Sequence, residues 1–131
     1  MTSLLLCLLI VNALPQIQLE RTLDAIRAVE SSNGRDTRDG DGGLAIGDYQ
    51  IHRAYWLDGT RFLGVNWPYE DARDEAKARR VVRAYVTTYA RVKGYSQTPE
   101  TWAKLHNGGP RGPEKKATEG YWRKVRAAIR P

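Results

Sequence analysis

Leu19, Leu23, Ile26 and Glu30 follow one another at steps of 4, 3 and 4 residues. That period places all four on one face of an α-helix. Three are apolar and the fourth is a carboxylic acid. Residues 31–43, which follow it, are rich in Ser, Asn, Asp and Gly. The spacing predicts a helix over 17–30 that turns an apolar stripe toward a core and stops where the loop begins. Glu30 then sits at the edge of that core, where a glutamate is seldom buried without a partner. Either it reaches solvent or caps the loop, or it is held partly out of water. In the second case desolvation raises its pKa and keeps the carboxyl protonated near neutrality.

The rest of the chain repeats the helical theme. Leu44-Ala45-Ile46 and Tyr49-Gln50-Ile51 flank Gly47-Asp48, which predicts a small β-hairpin. Pro68 and the acids Glu70, Asp71, Asp74 and Glu75 suit a helix start. The pattern predicts a long helix over 69–93 with Ala78, Val82, Tyr85 or Val86, and Tyr89 inward, stopped by Gly94. Thr98-Pro99 opens a short helix ending near His106. A tight loop, "HNGGPRGP", leads to a last helix over 114–130 with Ala117, Tyr121, Val125 and Ile129 inward. The expected class is α+β, mainly α, with the small hairpin inserted after the first helix. A length of 131 residues suits one core rather than two.

A net charge of +6 favours polyanionic partners, either nucleic acid, an anionic membrane surface or a wall polymer. No nucleic-acid-binding motif accompanies it. The run "LLLCLLIV", residues 4–11, is too short to span a bilayer, so stable membrane insertion is not expected. Val11-Asn12-Ala13 supplies small residues behind it. Residues 1–13 are therefore predicted to be a signal peptide, with 14–131 as the mature domain, secreted or periplasmic. Cys7, the only cysteine, lies inside that run. The mature domain then has no disulfide, no cysteine nucleophile and no cysteine-based metal site. "DTRDGDGG" does not make a calcium loop: a start at Asp39 puts Leu44 and Gln50 where Gly and Glu are required. No cofactor or metal is expected. Ser31 and Ser32 lack the elbow motif of a serine hydrolase.

What remains is carboxylate chemistry. Glycoside hydrolysis needs one protonated carboxyl and one carboxylate flanking the bond that breaks. Glu30 fits the first role, and Asp36, Asp39 and Asp41 in the following loop are candidates for the second. Tyr49 and Gln50 either line a sugar cleft or form an ordinary hairpin. His106-Asn107-Gly108 either brings backbone close to a ligand or simply turns the chain. His52 is a cleft residue or a surface imidazole.

In order along the chain, "VESSNG" (29–34), "GDYQIHRAYWLD" (47–58), "LHNGGPRG" (105–112) and "GYWRKVRAAI" (120–129) resemble the invertebrate-type (destabilase-like) lysozymes. The resemblance covers most of residues 17–129. It implies a lysozyme-like fold and a muramidase acting on peptidoglycan or chitooligosaccharide; a monomer is expected. Glu30 matches the family's general acid. The family's catalytic Asp lies before the Gly-x-x-Gln-Ile motif, here Gly47 to Ile51. Ungapped counting lands on Gly40, so a shift of one residue is needed, to Asp41 or alternatively Asp39. Tyr49, Gln50, His52, His106, Asn107 and Gly108 become substrate-binding candidates. Two features depart from the family. Animal members are rich in disulfides, so a cysteine-free mature chain suggests a bacterial or other cysteine-free relative. Trp56, Trp67, Trp102 and Trp122 are then available for packing or as sugar platforms. His52 also stands where the family usually has Lys, so the isopeptidase activity credited to some members is not carried over. Two rivals remain: a lytic transglycosylase that needs Glu30 alone, and a non-catalytic cationic wall-binding protein.

Overall fold

The computed structural model describes the backbone of residues 2–131 and the side chains from residue 13 onward. The predicted signal peptide, 1–13, thus lies almost wholly outside the residues described at side-chain level. Five helices form the frame: α1 (Thr2–Ser31), α2 (Arg53–Leu63), α3 (Glu75–Lys93), α4 (Pro99–Gly108) and α5 (Glu119–Ala128). No helix among the described residues is long and apolar enough to cross a membrane.

The apolar stripe of α1 behaves as its spacing requires. Leu19, Leu23 and Ile26 are buried, and the helix begins well before residue 17. Its end is built by Ser31, which donates to the Arg27 carbonyl and accepts from the Gly34 amide. Ser32 and Asn33 then turn through positive φ. The sequence pattern does not announce α2, whose Asp58-Gly59 pair is ordinary turn chemistry. Its glycine has another use: a Cβ at Gly59 would press on Val81 Cγ1 at 2.5 Å, so the bare backbone lets α2 lie close to α3.

The long helix expected over 69–93 divides. Residues 69–73 form a 3-10 turn, and the Asp74 carboxylate accepts from the Lys77 amide to cap α3. The acids expected to start one helix therefore serve two elements. The last helix is shorter than expected, because Lys104 and Gly112 pack backbone to backbone and 3-10 turns fill 112–118. Ala117, expected inward, is exposed, while Val125 is buried and Tyr121 and Ile129 partly so. Trp56 and Trp102 belong to the core, their indole N–H groups donating to the Trp67 carbonyl and to Gln97. They are packing residues rather than sugar platforms. Lys77 and Arg80 lie against the Trp67 ring.

The expected hairpin is reduced to two isolated antiparallel bridges, Gly40 with Ala45 and Ile46 with Ile51. No longer strand forms among the described residues. The chain must reverse within 47–50 while Ile46, Tyr49 and Ile51 all enter the core, which leaves no length for a ladder. Gly47 makes the reversal possible. It sits at φ +78°, and a Cβ there would collide with the Ala72 carbonyl. Gly47→Ala is expected to destabilise the fold by about 3 kcal/mol through the two effects together. An unchanged urea midpoint would contradict that packing.

Candidate active site

Glu30 closes the last turn of α1, with Val29 beside it packed on the core. The helix end holds the carboxyl half-buried at the head of a cleft. Burial is the main reason its pKa rises from 4.5 to about 7, and the nearby Asp41 charge pushes the same way. The Tyr121 hydroxyl and the Lys124 ammonium oppose the rise. Near neutrality the protonated and ionised forms of Glu30 are thus both well populated.

That shift carries a consequence for stability. The folded state binds this proton more tightly than the unfolded chain. The associated stability is full below pH 4.5 and is lost as pH rises through about 7. The span is worth about 3 kcal/mol. Glu30→Gln removes the titration, so the variant is expected to melt several degrees above wild type at pH 8 and close to it at pH 4. Equal melting points at both values would mean that Glu30 is not desolvated.

Asp41 faces Glu30 across a cleft of about 250 Å³ that also involves Gly40, Ala45, Gln50, His52, His106 and Asn107. Asp41 adopts φ +50°, a left-handed conformation uncommon for a residue with a side chain. Strained backbone of this kind clusters at functional sites. His52 donates through Nε2 to Asp41 Oδ2 at 2.8 Å, which leaves Oδ1 free of it. The other two loop aspartates are held by arginine. Arg73 clamps Asp39 with two bonds, at 2.8 and 3.1 Å, and lowers its pKa. Arg38 grips Asp36 likewise and pulls it down to about 2. Both line a second cavity of about 340 Å³ with Arg38 that meets the first at Glu30, Gly40 and Gln50. The groove therefore runs past Glu30 on both sides.

The remaining sequence candidates divide between wall and support. Gln50 lines both cavities, also at φ +50°, but its Nε2 already donates to the carbonyls of Arg38 and Gly47. A Cβ on Gly40 would collide with its Oε1. Gln50 therefore knits the loop as it lines it. The Tyr49 side chain is fully buried in the core instead of lining the cleft. Its hydroxyl donates to Glu75 and accepts from Arg79. The reason is the short reversal, which turns Tyr49 inward with Ile46 and Ile51. His106 is buried, with Nε2 donating to the Tyr49 carbonyl and Nδ1 accepting from the Tyr55 hydroxyl. Burial drives its pKa down to about 4, so it is a neutral strut between α4, α2 and the loop. Asn107 is exposed on the cleft wall. Gly108 does not line it: a Cβ there would meet Thr118, and its carbonyl accepts from Lys115.

Sequence reasoning placed Tyr121 among the core residues and did not connect it with Glu30. The available signal was a hydroxyl at an inward helix position. Tyr55 carries no assignment from sequence. It stacks on Tyr85 with ring centroids 3.6 Å apart and faces Glu30 from α2.

No protein-family profile matches the chain. Lysozyme 1 of Crassostrea virginica is 46% identical over 83 residues, covering 63% of this chain and 44% of that protein. Invertebrate-type lysozyme 6 of Caenorhabditis elegans is 37% identical, covering 65% of this chain and 67% of the relative. An inhibitor-bound lysozyme from Meretrix lusoria shares the fold with a TM-score of 0.71 at 32% identity, covering 82% of this chain and 87% of that one. The chain spans 44% of the length of the Crassostrea virginica lysozyme and 59% of that of Ostrea edulis. A mainly helical, lysozyme-like frame, a half-buried glutamate at the end of its first helix, and this identity to proteins of one kind have a single reading: the chain belongs to the invertebrate-type lysozyme family.

Proposed function

We propose that this chain is a muramidase that hydrolyses the β-1,4 bond between N-acetylmuramic acid and N-acetylglucosamine in peptidoglycan. One observation carries the reading: a desolvated Glu30 and an exposed Asp41 share one cleft, so the groove offers a carboxylic acid and a carboxylate to the same bond. Glu30 protonates the glycosidic oxygen as the C–O bond breaks. Asp41 stabilises the oxocarbenium-like sugar or attacks its anomeric carbon through Oδ1, while His52 fixes Oδ2. Glu30, now ionised, takes a proton from the water that completes hydrolysis. Asp39 is the weaker candidate because its two oxygens are engaged by Arg73. Gln50, His52 and Asn107 line the glycan path, and His106 holds its wall.

Residues 1–13 are proposed to direct export, and the excess of basic residues to draw the protein to anionic walls, an attraction that salt would screen. A lytic transglycosylase would use Glu30 without Asp41. The purified chain is incubated with peptidoglycan and the new sugar ends are identified by mass spectrometry. Reducing N-acetylmuramic acid ends are expected. 1,6-Anhydro ends would make the protein a transglycosylase, and release of no fragments would leave wall binding as its activity.

A further inference from the structure

Among the described residues, one buried side-chain polar atom lacks a hydrogen-bond partner: the Tyr121 hydroxyl. Two other tyrosine hydroxyls close by are satisfied, Tyr49 by Glu75 and Arg79 and Tyr55 by His106. A buried hydroxyl without a partner is uncommon in a folded protein and calls for an explanation. Tyr121 stands beside Glu30, near enough to favour the ionised carboxyl yet outside ordinary hydrogen-bond geometry. Its ring is held against His106, with centroids 6.3 Å apart and planes 26° from parallel. His106 is itself fixed at both nitrogens, so the ring has a rigid backing.

We propose that Tyr121 is a positioning residue whose hydroxyl has no partner while Glu30 is protonated and donates to Glu30 as that carboxyl gives up its proton. The inference rests on the reading of Glu30 as the general acid. While Glu30 is protonated, it has no negative charge to attract a donor. When the proton passes to the leaving oxygen, the electron pair of the O–H bond stays on the Glu30 carboxylate, and the Tyr121 O–H lies beside the new charge. An interaction that strengthens only as charge develops accelerates the step instead of tightening substrate binding. The cost is a resting state with an unsatisfied buried oxygen, the kind of local conflict that functional sites retain. The other groups facing Glu30 do not duplicate the role. Lys124 is exposed on α5, the Asp41 charge repels the carboxylate, and the Tyr55 proton is committed to His106.

Tyr121→Phe tests this with the full chain, since it removes one oxygen and keeps the ring. On peptidoglycan, kcat is expected to fall about tenfold with KM unchanged. Below pH 4.5, where Glu30 is protonated, the melting temperature is expected to hold or rise, because the variant loses an unsatisfied polar group. A carbon-13 NMR titration of Glu30 is expected to move upward in the variant, and with it the high-pH limb of activity. A merely structural tyrosine would lower the melting temperature and leave the Glu30 titration where it was, and that result overturns the proposal. An unmoved titration with unchanged kcat overturns it as well. If the wild type releases no sugar fragments, the muramidase reading fails, and the titration pair still decides whether Tyr121 serves the Glu30 anion.

Discussion

Glu30→Gln is expected to lower turnover on peptidoglycan by about a hundred- to ten-thousandfold, the range over which positioned acids contribute. Glutamine keeps the shape of the side chain and cannot give up a proton to the leaving oxygen. The loss should appear in kcat with KM little changed, because the carboxyl acts in the transition state and not in binding. Steady-state kinetics on soluble glycan fragments reads both parameters. The variant also tests the alternative of a non-catalytic wall binder, for which killing and wall association would survive the substitution intact. Its expected gain in melting temperature at pH 8 separates loss of chemistry from loss of fold. A protein that is more stable and inactive has lost a functional group.

Asp41→Asn is expected to reduce kcat by about a thousandfold as well, whereas Asp39→Asn should change it less than about threefold. The contrast follows from what each carboxylate touches. Asp41 shares the cleft with Glu30 and has one oxygen outside its bond to His52. Asp39 spends both oxygens on Arg73 at the surface, where such a pair contributes little. Assay of the two variants side by side, on the same substrate preparation, decides between the neighbouring positions. A large loss for Asp39→Asn with activity retained in Asp41→Asn would reverse the assignment. Near-normal activity in both would leave Glu30 acting alone, as a transglycosylase does.

The parts of this fold legible in the sequence are those where side-chain period and packing agree. The 4-3-4 spacing of α1 places Leu19, Leu23 and Ile26 in the core and delivers Glu30 to its rim. Thr98-Pro99 starts α4, and Gly94 ends α3 in a left-handed turn. Legibility fails where tertiary contact overrides local preference. Gly59 looks like a turn residue and is instead the gap that lets α2 meet α3. Tyr49 alternates correctly for a strand, but the reversal at Gly47 is too tight for a ladder and sends it into the core. Asp74 caps a helix that begins after a 3-10 turn, a choice that the run of acids at 70–75 does not reveal. At the candidate site, Glu30 and the loop aspartates Asp39 and Asp41 are legible as carboxylates close in sequence, and the structure puts Glu30 and Asp41 on one cleft. The contacts of His106 and Tyr121 are not legible, because they are made with elements far away in sequence.

In the proposed mechanism the end of α1 holds a carboxyl out of water and so makes an acid that works near neutral pH. The most direct measurement is the carbon-13 NMR titration of the Glu30 side-chain carboxyl in the wild-type chain. A midpoint near 7 is predicted from its burial beside Asp41. A midpoint near 4.5, the value of an exposed glutamate, would mean that Glu30 is solvated and ionised at neutral pH, and the account of it as general acid would fail.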